Sequence, residues 1–463
     1  MRFQQVNNSV SRCTKIGFLI FVLSLSLFAQ GKNPVILIPG LSGSELKHKI
    51  TNDRIWFKTI RSKSEDLRLP IVSDPTKTGD DLIATDVLRE VKIGPFPVTD
   101  VYGGFIKAME TRGGYHEETW NAPSADGDHD SLYVFAYDWR LDNVGNARIL
   151  VRKIEALKKT LKKPNLKFDI VAHSMGGLIS RYAAMYGDID LPTGNRKPVV
   201  TWAGAKLFDK IILMGTPNEG SVLSLSNLIS GFSLGGLRLD LPFVQDTSKF
   251  TVFTIPAAYQ LLPAPGTIRA FDDKLEPITV DIYDPKVWAK YGWNAINDKK
   301  FSSQYTAAER KAAPAYFAAV LERARRLYQA LGAAPGKTGG VMFYLLGADC
   351  KMATDAMVIY RDKKSGNWKT LFRPEGFTKE DGSKITSDQL KPLLQAPGDG
   401  VVTQRSLQAV TLSEKAGVPS IVGSTTDKFI CGDHNKLATE SKIQDYIIGV
   451  LNGKGTTEKV EEK

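Results

Sequence analysis

The amino-acid sequence predicts a doubly wound α/β fold with a mostly parallel central sheet and inserted cap or lid segments. Short β-branched or aromatic runs recur along the chain, at Val35–Ile38, Val134–Tyr137, Phe168–Ala172, Lys210–Met214, Val341–Leu346 and Ser420–Ser424. Runs of that length, not alternating with polar residues, suit a sheet buried on both faces. Between them lie helix candidates at Gly104–Thr111, Asn146–Leu161, Met175–Tyr186, Ala315–Leu331 and Ser441–Leu451, and strands alternating with helices build a parallel sheet.

In chain order, the first element is an export signal. Gly17–Phe28 is an apolar run behind a segment whose only charges are Arg2, Arg12 and Lys15, and ahead of Ala29, Gln30 and Gly31. These are the three parts of a secretory signal peptide, expected over residues 1–29 with cleavage after Ala29 or Gly31. Ile16–Ala29 falls short of the roughly twenty apolar residues that a membrane-spanning helix needs. The mature protein is therefore expected outside the cytoplasm, periplasmic or secreted. Cys13 leaves with the signal, and the remaining pair, Cys350 and Cys431, is expected to form one disulfide in an oxidising compartment.

The folded body is expected over residues 30–453. Two segments interrupt its alternation of strands and helices. Residues 45–100 are polar and turn-rich around an isolated Trp56, and residues 219–340 separate two strands of the sheet. An insertion as long as the second is normally a cap or lid, and its Ser-, Gly- and Leu-rich start, Val222–Leu241, suits a cover over an apolar site. Residues 454–463 are charged, lack core residues and are expected to be disordered. With 42% hydrophobic and 24% charged residues the chain has ample material for a core. Its net charge of +11 is spread along the sequence, and the densest basic groups read as solvated helix faces, which argues against a nucleic-acid partner.

Phe168-Asp169-Ile170-Val171-Ala172-His173-Ser174-Met175-Gly176-Gly177 reads as a strand, a tight turn and a helix. A serine on such a turn is lifted clear of the sheet, and the residues two before and two after it, here Ala172 and Gly176, must be small. Gly231-Phe232-Ser233-Leu234-Gly235 matches the glycine pattern more strictly, but no β run precedes Ser233 and it falls inside the expected lid. Context therefore selects Ser174. A serine nucleophile needs a base, and in the α/β-hydrolase order that base, a histidine, comes last. Of the five histidines, His48, His116 and His129 precede Ser174 and His173 adjoins it, which leaves His434 in Cys431-Gly432-Asp433-His434-Asn435.

The acid that orients the imidazole is expected on the loop after the penultimate strand. Asp399, between Gly398 and Gly400, and Asp349, nearer the strand end, both fit on spacing alone. Oxyanion donors are expected from the Met175 amide, at the amino end of the nucleophile helix, and from the Leu41 amide in Ile38-Pro39-Gly40-Leu41-Ser42-Gly43-Ser44. No His/Cys/Asp cluster has metal-ligand spacing. Gly332–Thr338 resembles a phosphate loop but has three residues between its glycines where four are required. No metal or cofactor is therefore expected.

These residues together resemble the lecithin:cholesterol acyltransferase family, which includes the lysosomal phospholipase and the phospholipid:diacylglycerol acyltransferases. The motifs that carry the resemblance run from about Asn33 to Val450: Pro34–Gly40 with Gly43-Ser44; Tyr137-Asp138-Trp139-Arg140-Leu141; Ala172–Gly177; Gly215-Thr216-Pro217; Ala258–Pro263; Gly398–Val402; and Asp433-His434. The resemblance implies an α/β-hydrolase fold, favours Asp399 over Asp349, and supports Leu41 and Met175 as oxyanion donors. It further implies an enzyme that takes an acyl chain from a phospholipid onto serine and passes it to a lipid alcohol or water, with transient membrane-surface contact. Trp139 would wall the acyl pocket, and Trp56 would correspond to a tryptophan of the membrane-contacting loop. Animal members staple that loop with two cysteines, and Glu45–Asp100 has none. A simple lipase or carboxylesterase, and a lipid-binding protein that keeps the fold without turnover, are the alternatives.

Overall fold

Successive residues of the first strand, Val35–Ile38 (β1), point to opposite sides of the sheet, and both sets are apolar: Val35 and Leu37 join one hydrophobic cluster, Ile36 and Ile38 another. A strand of that kind cannot leave either face wet, so helices must cover both. The computed structural model, which describes residues 31–58, 67–92, 98–194, 196–231, 248–334 and 336–453, shows this arrangement. The expected signal peptide and tail lie outside the described residues, as does Ser233.

Seven strands form one parallel sheet: β1, then β2 (His116–Glu118), β3 (Ser131–Val134), β4 (Phe168–His173), β5 (Phe208–Met214), β6 (Met342–Gly347) and β7 (Ser424–Phe429), in the spatial order β7-β6-β5-β4-β1-β3-β2. One face is covered by α2 (Asn143–Thr160), α3 (Met175–Tyr186) and α4 (Ala307–Leu331), through residues such as Leu150, Ile154, Leu178, Ile179, Phe317 and Leu321. The other is covered by α1 (Gly103–Thr111) and α5 (Ser441–Leu451), through Phe105, Met109, Ile443 and Ile447. All twelve residues of α3 are buried, so the nucleophile helix has no solvent side. Among the described residues, no helix is long and apolar enough to cross a membrane.

The chain fills one side of β1 first and then crosses to the other with β4. Register aligns Ile38 with Ala172 and Met214 with His173, so the carboxyl ends of β1, β4 and β5 open side by side at the point where the winding reverses. That is where doubly wound sheets hold their ligands.

The two insertions depart from the expected outline. In the first, Arg54–Trp56, Ser44–His48 and Leu82–Val87 form a three-stranded sheet. It is pinned to the core by Arg140, whose fully buried guanidinium is bidentate to Asp80 (2.6 and 2.8 Å) and also bonds Asp138 (3.0 and 2.8 Å). The second insertion begins as a run of short helices, but its last part is α4, which packs on the sheet as a core helix. Arg323 of α4 donates twice to Asp142, the N-cap of α2, each at 2.7 Å. Two of its strands, Arg269–Phe271 and Pro277–Ile278, join Ala356–Arg361 and Trp368–Leu371 in a second sheet. Residues 351–398 are thus a further excursion, placed between β6 and the Asp399 loop.

Candidate active site

Ser174 holds φ +52° and ψ −122° at the junction of β4 and α3, a conformation that few side-chain-bearing residues adopt. The turn is fixed by Ser174 N–H donating to Met214 O (2.8 Å) and Gly177 N–H donating to Ser174 O (3.0 Å). Its glycine requirement is steric. A Cβ on Gly176 would meet Pro39 O at 2.6 Å and Ile38 O at 2.7 Å, so only glycine lets α3 start against the end of β1.

Ser174 Oγ lies 2.9 Å from His434 Nε2, and His434 Nδ1 lies 2.7 Å from Asp399 Oδ2. All three residues are buried. The other carboxylate oxygen, Asp399 Oδ1, accepts from Val401 N–H (3.0 Å) and Val402 N–H (2.7 Å). Burial pushes the Asp399 carboxyl up, but the facing His434 and these two amides more than offset it and hold the pKa below its ordinary value. Asp399 is therefore ionised at neutral pH. Its rival Asp349 is exposed and stands outside this chain of hydrogen bonds.

Leu41 and Met175 flank the serine from two sides. Among the described residues, neither backbone N–H has an acceptor, Met175 because it opens a helix. The Leu41 turn lies directly against the nucleophile: a Cβ on Gly40 would come within 2.9 Å of Ser174 Cβ. Hydrogen bonds from several elements hold the turn. Gly43 N–H donates to Gly40 O (3.1 Å), Tyr137 Oη to Pro39 O (2.8 Å), Gly40 N–H to Tyr102 Oη (3.0 Å) and Trp56 Nε1 to Ser42 O (2.8 Å).

The last of these corrects one expectation. Trp56 is 2% exposed and its ring lies 5.1 Å from that of Trp139, so it braces the oxyanion turn from behind and does not present itself to a membrane. Trp139 is fully buried beside it, and among the described residues its indole nitrogen has no hydrogen-bond partner. The contributions of Tyr102, Tyr137 and His173 had no signal in the sequence beyond the position of Tyr137 next to the Asp-Trp-Arg motif and of His173 next to the serine.

Cys350 and Cys431 form a disulfide that joins the end of β6 to the loop carrying His434. Immediately after Cys350, Lys351–Thr354 pairs with Gln395–Gly398, the strand that delivers Asp399. The bond therefore ties the His434 loop to the strand that leads into Asp399. Closing a loop across 81 residues restricts the unfolded chain by about 4.5 kcal/mol on chain-entropy grounds. Replacing both cysteines by serine is expected to lower the melting temperature and turnover together. Thermal unfolding and ester-hydrolysis assays check this, and equal melting temperatures for parent and variant would contradict it.

A parallel sheet wound both ways around a serine on a strand–helix turn defines an α/β-hydrolase. Over residues 127–310 the chain matches the model of the lecithin:cholesterol acyltransferase family, in agreement with the resemblance carried by the motifs. That span holds Trp139, Ser174 and Met175. No curated protein matches the chain. Among solved structures, it is similar to a chain of the Tle4–Tli4 complex, at 14% identity over 92% of this chain and 99% of that one with a TM-score of 0.53, a likeness of fold. Bacillus licheniformis lipase BlEst2 in its mature form matches at 11% identity over 91% and 92% of the two chains, with a TM-score of 0.34. Phospholipase PlaB from Legionella pneumophila matches at 13% identity over 68% and 39%, with a TM-score of 0.28. The α/β-hydrolase fold and the match to that family's model support a lipid acyltransferase or lipid hydrolase.

Proposed function

We propose that the protein is an exported, serine-dependent phospholipid acyltransferase or phospholipase that takes an acyl chain onto Ser174 and passes it to a lipid alcohol or to water. The observation that carries this proposal is the buried chain Ser174–His434–Asp399, with the free Leu41 and Met175 amides beside the serine. As Ser174 Oγ attacks the ester carbonyl, His434 Nε2 takes its proton, and Asp399 keeps the imidazole in the Nδ1–H tautomer and stabilises the cation that forms. The two amides receive the oxyanion. When the tetrahedral adduct collapses, His434 returns the proton to the departing lysophospholipid alkoxide. Neutral again, it deprotonates the water or alcohol that attacks the acyl-serine.

Transfer and hydrolysis share the acyl-serine and differ only in which hydroxyl reaches it. Transfer wins over bulk water only if the site binds and orients the alcohol at a high effective molarity. Purified protein is to be incubated with defined phospholipid vesicles containing increasing sterol, fatty alcohol or diacylglycerol. The expected result is an ester of at least one of these alcohols, formed in rising ratio to free fatty acid. Free fatty acid as the sole product at saturating acceptor would leave a phospholipase, and an unchanged phospholipid pool would overturn the proposal. Mass analysis of protein recovered outside the cytoplasm is expected to place its amino terminus after Ala29 or Gly31.

A further inference from the structure

His173 precedes the nucleophile and takes no part in the Ser174–His434–Asp399 chain, yet it is buried and both of its ring nitrogens are used. Nε2 lies 3.0 Å from the main-chain carbonyl oxygen of His434, and Nδ1 lies 2.7 Å from Tyr102 Oη. Tyr102 Oη in turn accepts from Gly40 N–H. Donor and acceptor roles follow without ambiguity. A carbonyl oxygen can only accept, so Nε2 carries a proton, and a neutral imidazole then has a bare Nδ1 that accepts the Tyr102 hydroxyl. Burial, with the nearby His434 adding to it, depresses the His173 pKa to about 3, so the ring stays neutral at any pH at which the protein would work.

This run of hydrogen bonds touches three loops: the oxyanion turn through Gly40, the nucleophile turn through His173 itself, and the base loop through His434. The ring of His173 also lies 5.0 Å from that of His434. We propose that His173, with Tyr102, is a positioning residue that sets the oxyanion turn and the base loop at a fixed distance from each other through one locked tautomer. The proposal rests on Ser174 and His434 being nucleophile and base. It gives His173 no proton to transfer.

The two bonds can be cut separately. Asn at position 173 places an acceptor near Nδ1 and loses the tie to His434, whereas Gln places a donor near Nε2 and loses the tie to Tyr102. Phe fills the ring's space and makes neither bond. Displacing an oxyanion donor through its support should cost less than the roughly 10²–10³-fold that deleting one costs. The expected fall in kcat is about tenfold for Tyr102→Phe and about 10- to 100-fold for His173→Asn and His173→Gln, with KM changed by less than about threefold. His173→Phe is expected to be the slowest of the set. A residue that merely packs would give the reverse order, with Phe the best substitute, and that order would overturn the proposal.

Should the position 173 variants fail to fold, Tyr102→Phe decides alone: kcat within twofold of the parent would overturn the proposal. Ser174→Ala runs beside them. If it is inactive while His173→Asn and Tyr102→Phe keep full kcat, the positioning role falls and the catalytic assignment stands. If Ser174→Ala itself turns over, both fall together.

Discussion

Ser174→Ala is expected to lower ester turnover by about 10⁴- to 10⁶-fold, because the members of such a triad act as a unit and removing the nucleophile removes almost all that the unit contributes. The substitution deletes one atom, whose hydrogen-bond partner among the described residues is His434 Nε2 at 2.9 Å. Everything else stays in place. Ser174 N–H keeps its bond to Met214 O, and Asp399 still holds His434 Nδ1. The melting temperature should therefore stay close to that of the parent, so lost activity would reflect chemistry and not unfolding. Ser233→Ala is expected to keep turnover, although its local sequence is the stricter match to the glycine pattern. A fluorophosphonate probe should label the parent once and leave Ser174→Ala unlabelled. Mapping of the label to Ser233, or turnover by Ser174→Ala within tenfold of the parent, would contradict the assignment.

What could be read from the sequence was what is local. The serine turn announces itself because strand, turn and helix are contiguous, and His434 follows from chain order once the serine is placed, whereas spacing left Asp399 and Asp349 both open and the family resemblance favoured Asp399. Continuous apolar runs located β1, β4, β5 and β6 closely, since these strands are buried on both faces. The same criterion misplaced the flanking strands. It set β3 at Val134–Tyr137, three residues late, because Phe135 and Tyr137 are buried core residues that lie past the end of the strand, whereas the strand itself starts at polar Ser131. It set β7 at Ser420–Ser424 because Ile421 and Val422 are buried, but the strand is Ser424–Phe429, an edge whose alternating exposure leaves no apolar run. The other edge, His116–Glu118, is wholly polar and gave no signal. The sequence places the start of α4 at Ala315, yet the helix begins at Ala307, where Thr306 and Glu309 form a capping box that starts it ahead of Pro314.

The supports of the site escaped for a different reason. Tyr102 meets Gly40 across 62 residues, Tyr137 meets Pro39 across 98, and His173 meets His434 across 261. Such contacts exist only once the sheet has brought the ends of β1 and β4 together. Trp56 is the clearest case. It stands with Ile55 and Phe57 in an otherwise polar segment, and only the three-stranded sheet that contains Arg54–Trp56 turns it inward onto the Ser42 carbonyl.

Asp399→Asn is the second large effect, and it tests the base and its tautomer and not the nucleophile. In the parent, the ionised carboxylate accepts from Nδ1–H, which leaves Nε2 bare and facing Ser174 Oγ at 2.9 Å. An asparagine can keep the acceptor role of Oδ1 toward the Val401 and Val402 amides, so the Gly398–Val402 turn has no reason to change. Its amide nitrogen, placed where Oδ2 was, can only donate. It therefore favours a bare Nδ1 and moves the imidazole proton to Nε2, where it faces the serine and cannot take the serine's proton. The negative charge that would stabilise the imidazolium is lost at the same time. Together these effects are expected to lower kcat by about 10³- to 10⁴-fold with little change in KM or melting temperature. Asp349→Asn, at an exposed position outside the hydrogen-bonded chain, is expected to keep parental kcat. Steady-state kinetics on a soluble ester separate the two aspartates. If Asp349→Asn were the slow enzyme and Asp399→Asn the unimpaired one, Asp399 would hold the turn without serving the base.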